Sequence, residues 1–191
     1  FMVSDGYYGR GNYLDAANAL INYFQVNPKP INMKKFEKRI SRAIAGEIRD
    51  RLKKGKIVAA LDIIESHQKS WLSKSRRVDV QFFRANAYER MGLLDEALSS
   101  YKRIQKRMRH LQGTKEETER KVFEYYPTFD QIYLRQAVIE LQNNNASQSV
   151  ALFKNVKKSS ELDVQSKIDY YYTLSKLSFD NKKYKDALGT A

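Results

Sequence analysis

Apolar residues recur three and four positions apart along most of this 191-residue chain, which is the spacing of amphipathic α-helices. The pattern is clearest between residues 83 and 104, where a turn at Gly92 separates two apolar faces. The first face contains Phe83, Ala87 and Tyr88, and the second contains Ala97, Leu98, Tyr101 and Ile104. Gly92 suits the end of one helix, and Asp95 suits the start of the next. We therefore predict two antiparallel helices joined by a tight turn.

The same order of small and aromatic residues returns in four other segments, which makes it an internal repeat. These segments are residues 11–28, 52–66, 133–156 and 171–188. The small residues of the predicted second helices are Ala16, Ala60, Ala97, Ser149 and Ala187. Small side chains allow two helices to approach closely, and the neighbouring rings fill the space around the contact.

This pattern resembles the tetratricopeptide repeat family, whose motif runs through an aromatic, leucine-glycine, tyrosine, alanine, an aromatic and a closing proline. Tyr88, Gly92, Ala97 and Tyr101 match its second half, and residues 11–28 match the end of a repeat. The chain departs from the family at three positions, with Ser149 in place of alanine and Arg84 and Gln136 in place of leucine. The resemblance implies an all-α fold, a right-handed α-solenoid of antiparallel helix-turn-helix repeats.

We expect residues 1–191 to form a single array that is a fragment of a longer protein. The predicted units are residues 1–28 (partial), 33–69, 78–110, 128–158 and 166–191 (partial). The spacing between units exceeds the family's repeat length of about 34 residues. We place the extra length after Pro28, where Asn32 can cap a long helix, and in a charged insertion at about 106–127. In that insertion Thr114 and Glu117 have the spacing of a capping box, and Pro127 ends the segment.

The resemblance also implies a concave groove lined by the first helix of each repeat. The groove residues carried over by alignment are Arg42, Arg49, Lys53, Phe82, Asn86, Arg90, Leu134, Val138, Tyr172 and Lys176. They change from basic to apolar along the chain, so we expect a protein or peptide partner with acidic and apolar residues. The leading hypothesis is a noncatalytic scaffold or adaptor. An alternative for Leu134 and Val138 is that they pack against the insertion instead of a ligand.

The positive charge is concentrated in the middle of the chain. The formal net charge is +13, and residues 34–109 hold 21 Lys and Arg against nine Asp and Glu. The predicted basic patch consists of Lys102, Arg103, Lys106, Arg107 and Arg109, and residues 34–42 and 74–77 add further basic residues. A second hypothesis is therefore docking on a polyanion, either nucleic acid or an anionic membrane or envelope surface. Nucleic acid is not favoured, because no reader motif is present. A third hypothesis is a structural subunit of a larger assembly.

The residues that carry chemistry argue against an enzyme. The chain has no cysteine, and its two histidines, His67 and His110, lack the partner spacing of metal sites. Glycine-rich phosphate-binding motifs do not occur. We therefore predict no catalytic residues, metal or cofactor. The composition is typical of a soluble helical protein, with no membrane-spanning run and no signal peptide pattern, and it leaves the compartment and the oligomeric state open.

Overall fold

A computed structural model describes residues 2–28, 32–73 and 77–180, and every regular element in these ranges is helical. The α-helices are α1 (Met2–Gly9), α2 (Tyr13–Val26), α3 (Met33–Lys53), α4 (Ile57–Gln68), α5 (Val78–Arg90), α6 (Leu94–Leu111), α7 (Lys115–Phe123), α8 (Phe129–Gln142), α9 (Ala146–Phe153) and α10 (Val164–Asp180). A 3-10 turn spans Ser159–Glu161. The all-α prediction is confirmed for the described residues. None of their helices combines the length and apolar character that a bilayer crossing requires.

The described helices form two compact units. The first contains α1 to α5 together with α7, and the second contains α6, α8, α9 and α10. The predicted hairpin 78–110 therefore has its first helix in one unit and its second helix in the other.

The first unit is built around α3, a 21-residue helix that packs against α2, α4 and α5. Ile40, Ile44 and Ile48 lie four residues apart on this helix and are fully buried. Their spacing places them on one stripe of the helix, which buries apolar area along the length of the unit. The stripe explains why α3 is the longest helix of the unit although its remaining surface is strongly basic.

A serine hydroxyl lies at a contact between two helices in each unit. In the first unit, Ser4 on α1 donates a hydrogen bond of 2.9 Å from Oγ to the carbonyl oxygen of Ala16 on α2. In the second, Ser149 on α9 donates one of 2.8 Å to the carbonyl of Ala137 on α8. Each pair is 12 residues apart in sequence. Ser149 departs from the family's alanine, but its buried hydroxyl is satisfied by a backbone acceptor and its small size keeps the helices close.

The turn at Gly92 lies where the sequence predicts it, and a second turn of the same kind lies at Asn144. Gly92 has φ +78° between α5 and α6, and Asn144 has φ 61° between α8 and α9. Both values lie in the left-handed region that glycine and asparagine adopt most readily. Each residue therefore allows a helix to end and the chain to reverse within a few residues.

The helix starts differ in detail from the predicted caps. The Oγ1 atom of Thr114 accepts the N–H of Glu117, but the Glu117 carboxylate reaches Gly113 N–H at 2.8 Å instead of completing the box at Thr114. Asn32 precedes α3 without a side-chain cap bond. The complete capping box belongs to Thr128 and Gln131 at the start of α8, which the sequence analysis missed.

Candidate interaction surfaces

The basic residues predicted for the groove in the first unit have different environments. The Arg42 guanidinium lies 4.6 Å from the centre of the Tyr8 ring, and its Nε donates a 3.1 Å hydrogen bond to the Tyr8 hydroxyl. This combination of cation–π contact and hydrogen bond holds an exposed side chain in one orientation. Arg49 is half-buried and Lys53 is exposed. Arg42 and Lys53 are therefore the most accessible predicted groove cations on α3.

Arg90 has a structural role as well as an exposed position. Its Nη1 atom donates a 2.6 Å hydrogen bond to the carbonyl oxygen of Leu52, in the last turn of α3. The last carbonyls of a helix lack intrahelical donors, and a cation near them is favoured by the helix dipole. Arg90 thereby ties the end of α5 to the end of α3, which limits its freedom to pair with a partner's carboxylate.

The predicted groove aromatic Phe82 is half-buried by the segment that follows α7. Its ring centre lies 6.0 Å from that of Tyr125, while Phe83 stacks on Tyr125 at 5.6 Å. Asn86, one turn after Phe82, is also half-buried. The end of the charged insertion therefore packs on the α5 surface that the resemblance assigns to a ligand.

A buried charge cluster holds this segment in place. Arg77 makes two hydrogen bonds to the Asp79 carboxylate, of 2.9 and 2.6 Å, and both side chains are almost fully buried. Glu124 accepts the backbone N–H of Val78 at 3.2 Å and a 3.0 Å bond from Arg120. Desolvation by burial raises the pKa of Glu124, and the negative charge of Asp79 acts in the same direction. The expectation that residues 74–77 add to the basic surface is wrong for Arg77, because this side chain is buried and paired with a carboxylate two residues away.

The apolar groove residues of α8 in the second unit are largely inaccessible. Leu134 is fully buried and cannot contact a partner, so the prediction that it lines a ligand surface is wrong. Val138 is half-buried. The apolar periodicity of α8 is consistent with either role, because a buried stripe and a ligand-facing stripe have the same spacing.

The amide of Gln136 on α8 is buried, with its Nε2 atom lacking a hydrogen-bond partner. Replacing Gln136 by Leu, the residue the family prefers, is expected to raise the free energy of unfolding by about 1 kcal/mol, because a buried donor without a partner is removed. Urea denaturation followed by circular dichroism measures the change. Gln142→Leu, at an exposed position on the same helix, is the control and is expected to have little effect. A loss of stability in Gln136→Leu alone would show that the amide has a partner.

The exposed face of α10 carries two of the predicted groove residues. Tyr172 is 64% exposed and Lys176 is also exposed. Val164, Ile168 and Phe179 are exposed at 77, 57 and 61%, and with Tyr172 they follow one face of the helix. Val164 and Ile168 are not among the predicted groove residues, although the spacing of four between positions 164, 168 and 172 is a sequence signal for them.

The predicted basic patch is divided among several environments on α6. Lys102, Arg103 and Lys106 are exposed and line a shallow depression of about 450 Å³ together with Leu98. Arg107 is half-buried. The Nη2 atom of Arg109 donates a 2.8 Å hydrogen bond to the Tyr133 hydroxyl on α8. The structure therefore brings three of the five basic residues to one surface.

Metal binding has no candidate site within the ranges 2–28, 32–73 and 77–180. These residues contain no group of three His, Cys, Asp or Glu side chains placed to hold a metal ion. Burial lowers the pKa of the half-buried His67, so its imidazole favours the neutral form. The exposed apolar face of α10 and the exposed lysines and arginine of α6 are features that suit binding.

The comparisons with known proteins assign no family to these surfaces. No protein-family model matches the chain, and no curated protein or solved structure is significantly similar to it.

Proposed function

We propose that this protein is a noncatalytic helical scaffold that binds a segment of another protein. The exposed face of α10, formed by Val164, Ile168, Tyr172, Lys176 and Phe179, is the observation that carries the proposal. Four large apolar side chains on one helix face make a surface of the kind that marks protein interaction sites.

The opposite face of α10 fixes the orientation of this surface. Thr173 and Leu177 are 1 and 5% exposed, so the helix is anchored through these positions and presents Tyr172 outward. From Val164 to Phe179 the helix rises about 22 Å, enough to support several turns of a partner helix or an extended peptide. Lys176 supplies a cation within the apolar surface. The partner that fits carries apolar side chains and at least one carboxylate.

The tetratricopeptide-like repeat is part of this proposal. It is supported by the small-residue crossings Ser4–Ala16 and Ala137–Ser149, which have the same separation in sequence and a hydrogen bond of the same kind. The right-handed solenoid, and the assignment of Arg42, Lys53 and Tyr172 to one concave groove, stay predictions from the resemblance.

Site-specific photo-crosslinking tests the proposed surface. A photoreactive phenylalanine analogue replaces Tyr172 in one variant and Val58 in a matched control, because Val58 is 63% exposed on α4. In a lysate of the source cells, the Tyr172 probe is expected to capture one discrete protein that the Val58 probe does not. Lys176→Glu is expected to weaken the affinity of that purified protein about tenfold in calorimetry, because an attraction becomes a repulsion. Identical capture at both positions, or unchanged affinity after Lys176→Glu, would contradict the proposal.

Polyanion binding is the second candidate, and the surface formed by Lys102, Arg103 and Lys106 favours it. The same lysate distinguishes the two candidates. A probe at Lys106 that captures nucleic-acid-associated proteins, with a signal that disappears as salt is raised, would favour phosphate-driven binding over the α10 surface.

A further inference from the structure

The first unit contains a cavity that is part of neither the α10 surface nor the basic surface of α6. It has a volume of about 440 Å³ and lies between the end of α2, the start of α3 and residues 69–73 after α4. Its apolar wall is formed by Phe24, Met33 and Trp71. The rings of Phe24 and Trp71 meet edge to face at 5.3 Å and an angle of 89°, and Trp71 also packs on the core of the unit. The apolar wall is therefore preformed.

Lysines surround this apolar wall. Lys34, Lys38 and Lys69 line the cavity, against one carboxylate, Glu37. The Nζ atom of Lys38 lies 3.5 Å from Glu119. Lys34 and Lys69 are exposed and form no ion pair with any residue in the described ranges. The cavity therefore offers cations for an added negative group.

The hydroxyl groups of the cavity are already used within the protein. Ser41 donates to the carbonyl of Lys38 and lies 3.4 Å from Nη1 of Arg77. Ser70 and Ser73 donate to the carbonyls of His67 and Ser70. These three hydroxyls therefore have no hydrogen left to donate to the polar groups of a ligand such as a sugar. An apolar body with a single anionic head matches the walls better.

We propose that this cavity binds an amphipathic monoanion, a hydrocarbon chain or ring that carries one carboxylate. The apolar body lies against Phe24, Met33 and Trp71, and the carboxylate is placed between Lys34 and Lys69. The cavity volume falls within the range of about 300–1,000 Å³ found for small-molecule sites. This site is separate from the α10 surface, and its test does not depend on the scaffold proposal.

The fluorescence of Trp71 reports occupancy directly, because the chain contains a single tryptophan. Titration with octanoate, a soluble eight-carbon carboxylate, is expected to change the intensity and wavelength of emission in a saturable manner. Octanol and octylammonium have the same chain with a neutral or positive head. The expected order of affinity is octanoate, then octanol, then octylammonium, because the cavity lysines attract only the first. Equal affinities for all three compounds, or no saturable change with octanoate, would overturn the proposal.

A charge-matched pair of variants tests the role of the lysines. Lys34→Gln/Lys69→Gln is expected to weaken octanoate binding about tenfold, because the ligand's carboxylate loses its ion pairs with both lysines. Octanol has no charge, so its binding is expected to stay unchanged. Lys56→Gln/Lys115→Gln removes two exposed lysines of the same unit that do not line the cavity. This control variant has the same net charge as the test variant and is expected to bind octanoate with wild-type affinity. Equal losses in both variants would show a general charge effect and refute the assigned site.

A membrane surface is the competing occupant, since tryptophan and lysine also occur where proteins contact anionic lipid. Vesicles of phosphatidylserine and phosphatidylcholine, compared with phosphatidylcholine alone, address it with the same fluorescence signal. A response of Trp71 to the anionic vesicles without a response to monomeric octanoate would overturn the small-ligand proposal. A saturable response to octanoate that becomes about tenfold weaker in Lys34→Gln/Lys69→Gln would support it.

Discussion

Asp79→Ala is expected to lower the free energy of unfolding by about 3–5 kcal/mol, the cost of leaving one charge of a buried pair without its partner. Asp79 and Arg77 are only 2 and 5% exposed, and the carboxylate accepts two hydrogen bonds from the guanidinium. Asp79 also accepts the backbone N–H of Val80 at 2.8 Å, so the variant loses a third bond. Urea denaturation followed by circular dichroism gives the change in stability.

Two further variants separate the charge effect from general sensitivity of the unit. Asp62→Ala alters an exposed aspartate of α4 and is expected to change stability by less than about 0.5 kcal/mol. Arg77→Met/Asp79→Leu replaces the pair by apolar residues, and it is expected to be more stable than Asp79→Ala, because no charge is then buried alone. A double variant as unstable as the single one would locate the effect in packing instead of electrostatics.

The second large effect is expected at Gly46, on the buried side of α3. A Cβ atom added there would lie 2.7 Å from Cδ1 of Tyr13 on α2, well inside van der Waals contact. Gly46→Leu is therefore expected to destabilise the protein by about 3 kcal/mol, near the upper end of overpacking costs. Urea denaturation measures the loss in the free energy of unfolding. The control removes the Tyr13 ring that the added Cβ atom would meet. In a Tyr13→Ala background, Gly46→Ala is expected to be neutral or stabilising by up to about 1 kcal/mol, because alanine is the better helix former.

The close approach at Gly46 also affects Arg42, a residue of the predicted groove. Tyr13 packs edge to face on Tyr8 with ring centres 5.1 Å apart, and Tyr8 in turn supports Arg42. Displacement of Tyr13 would therefore disturb an exposed cation as well as the helix contact. If Gly46→Leu kept wild-type stability, α2 and α3 would have to be less tightly packed than the structure indicates.

The sequence predicts an excess of basic residues, but the fold decides which of these side chains are exposed and which are buried. The excess of basic residues in 34–109 is a property of composition, and it predicts cationic surfaces that Lys53, Lys102 and Lys106 provide. Arg77 belongs to the same excess but is buried. Its environment includes Glu124, which is 47 positions away, and contacts over that separation have no local signal.

The same limit applies to apolar positions. The spacing of Leu134 predicts a helical apolar face, but it does not tell whether that face meets the core or a ligand; the structure buries it. Trp71 lies after α4 and belongs to no helical period. Its place in the apolar wall of the cavity therefore could not be predicted. The burial of Leu134 and the position of Trp71 both depend on which helices pack together.

The sequence by itself determined the all-α class of the described residues, the turn at Gly92 and the small residues at two helix contacts. These features follow from interactions within a few residues: the helical period, the left-handed backbone of Gly92 and Asn144, and the size of Ala16 and Ser149. Only the tertiary structure decided which of the predicted site residues are accessible. Burial and charge pairing depend on side chains brought together from distant parts of the chain, and helical periodicity carries no information about those partners.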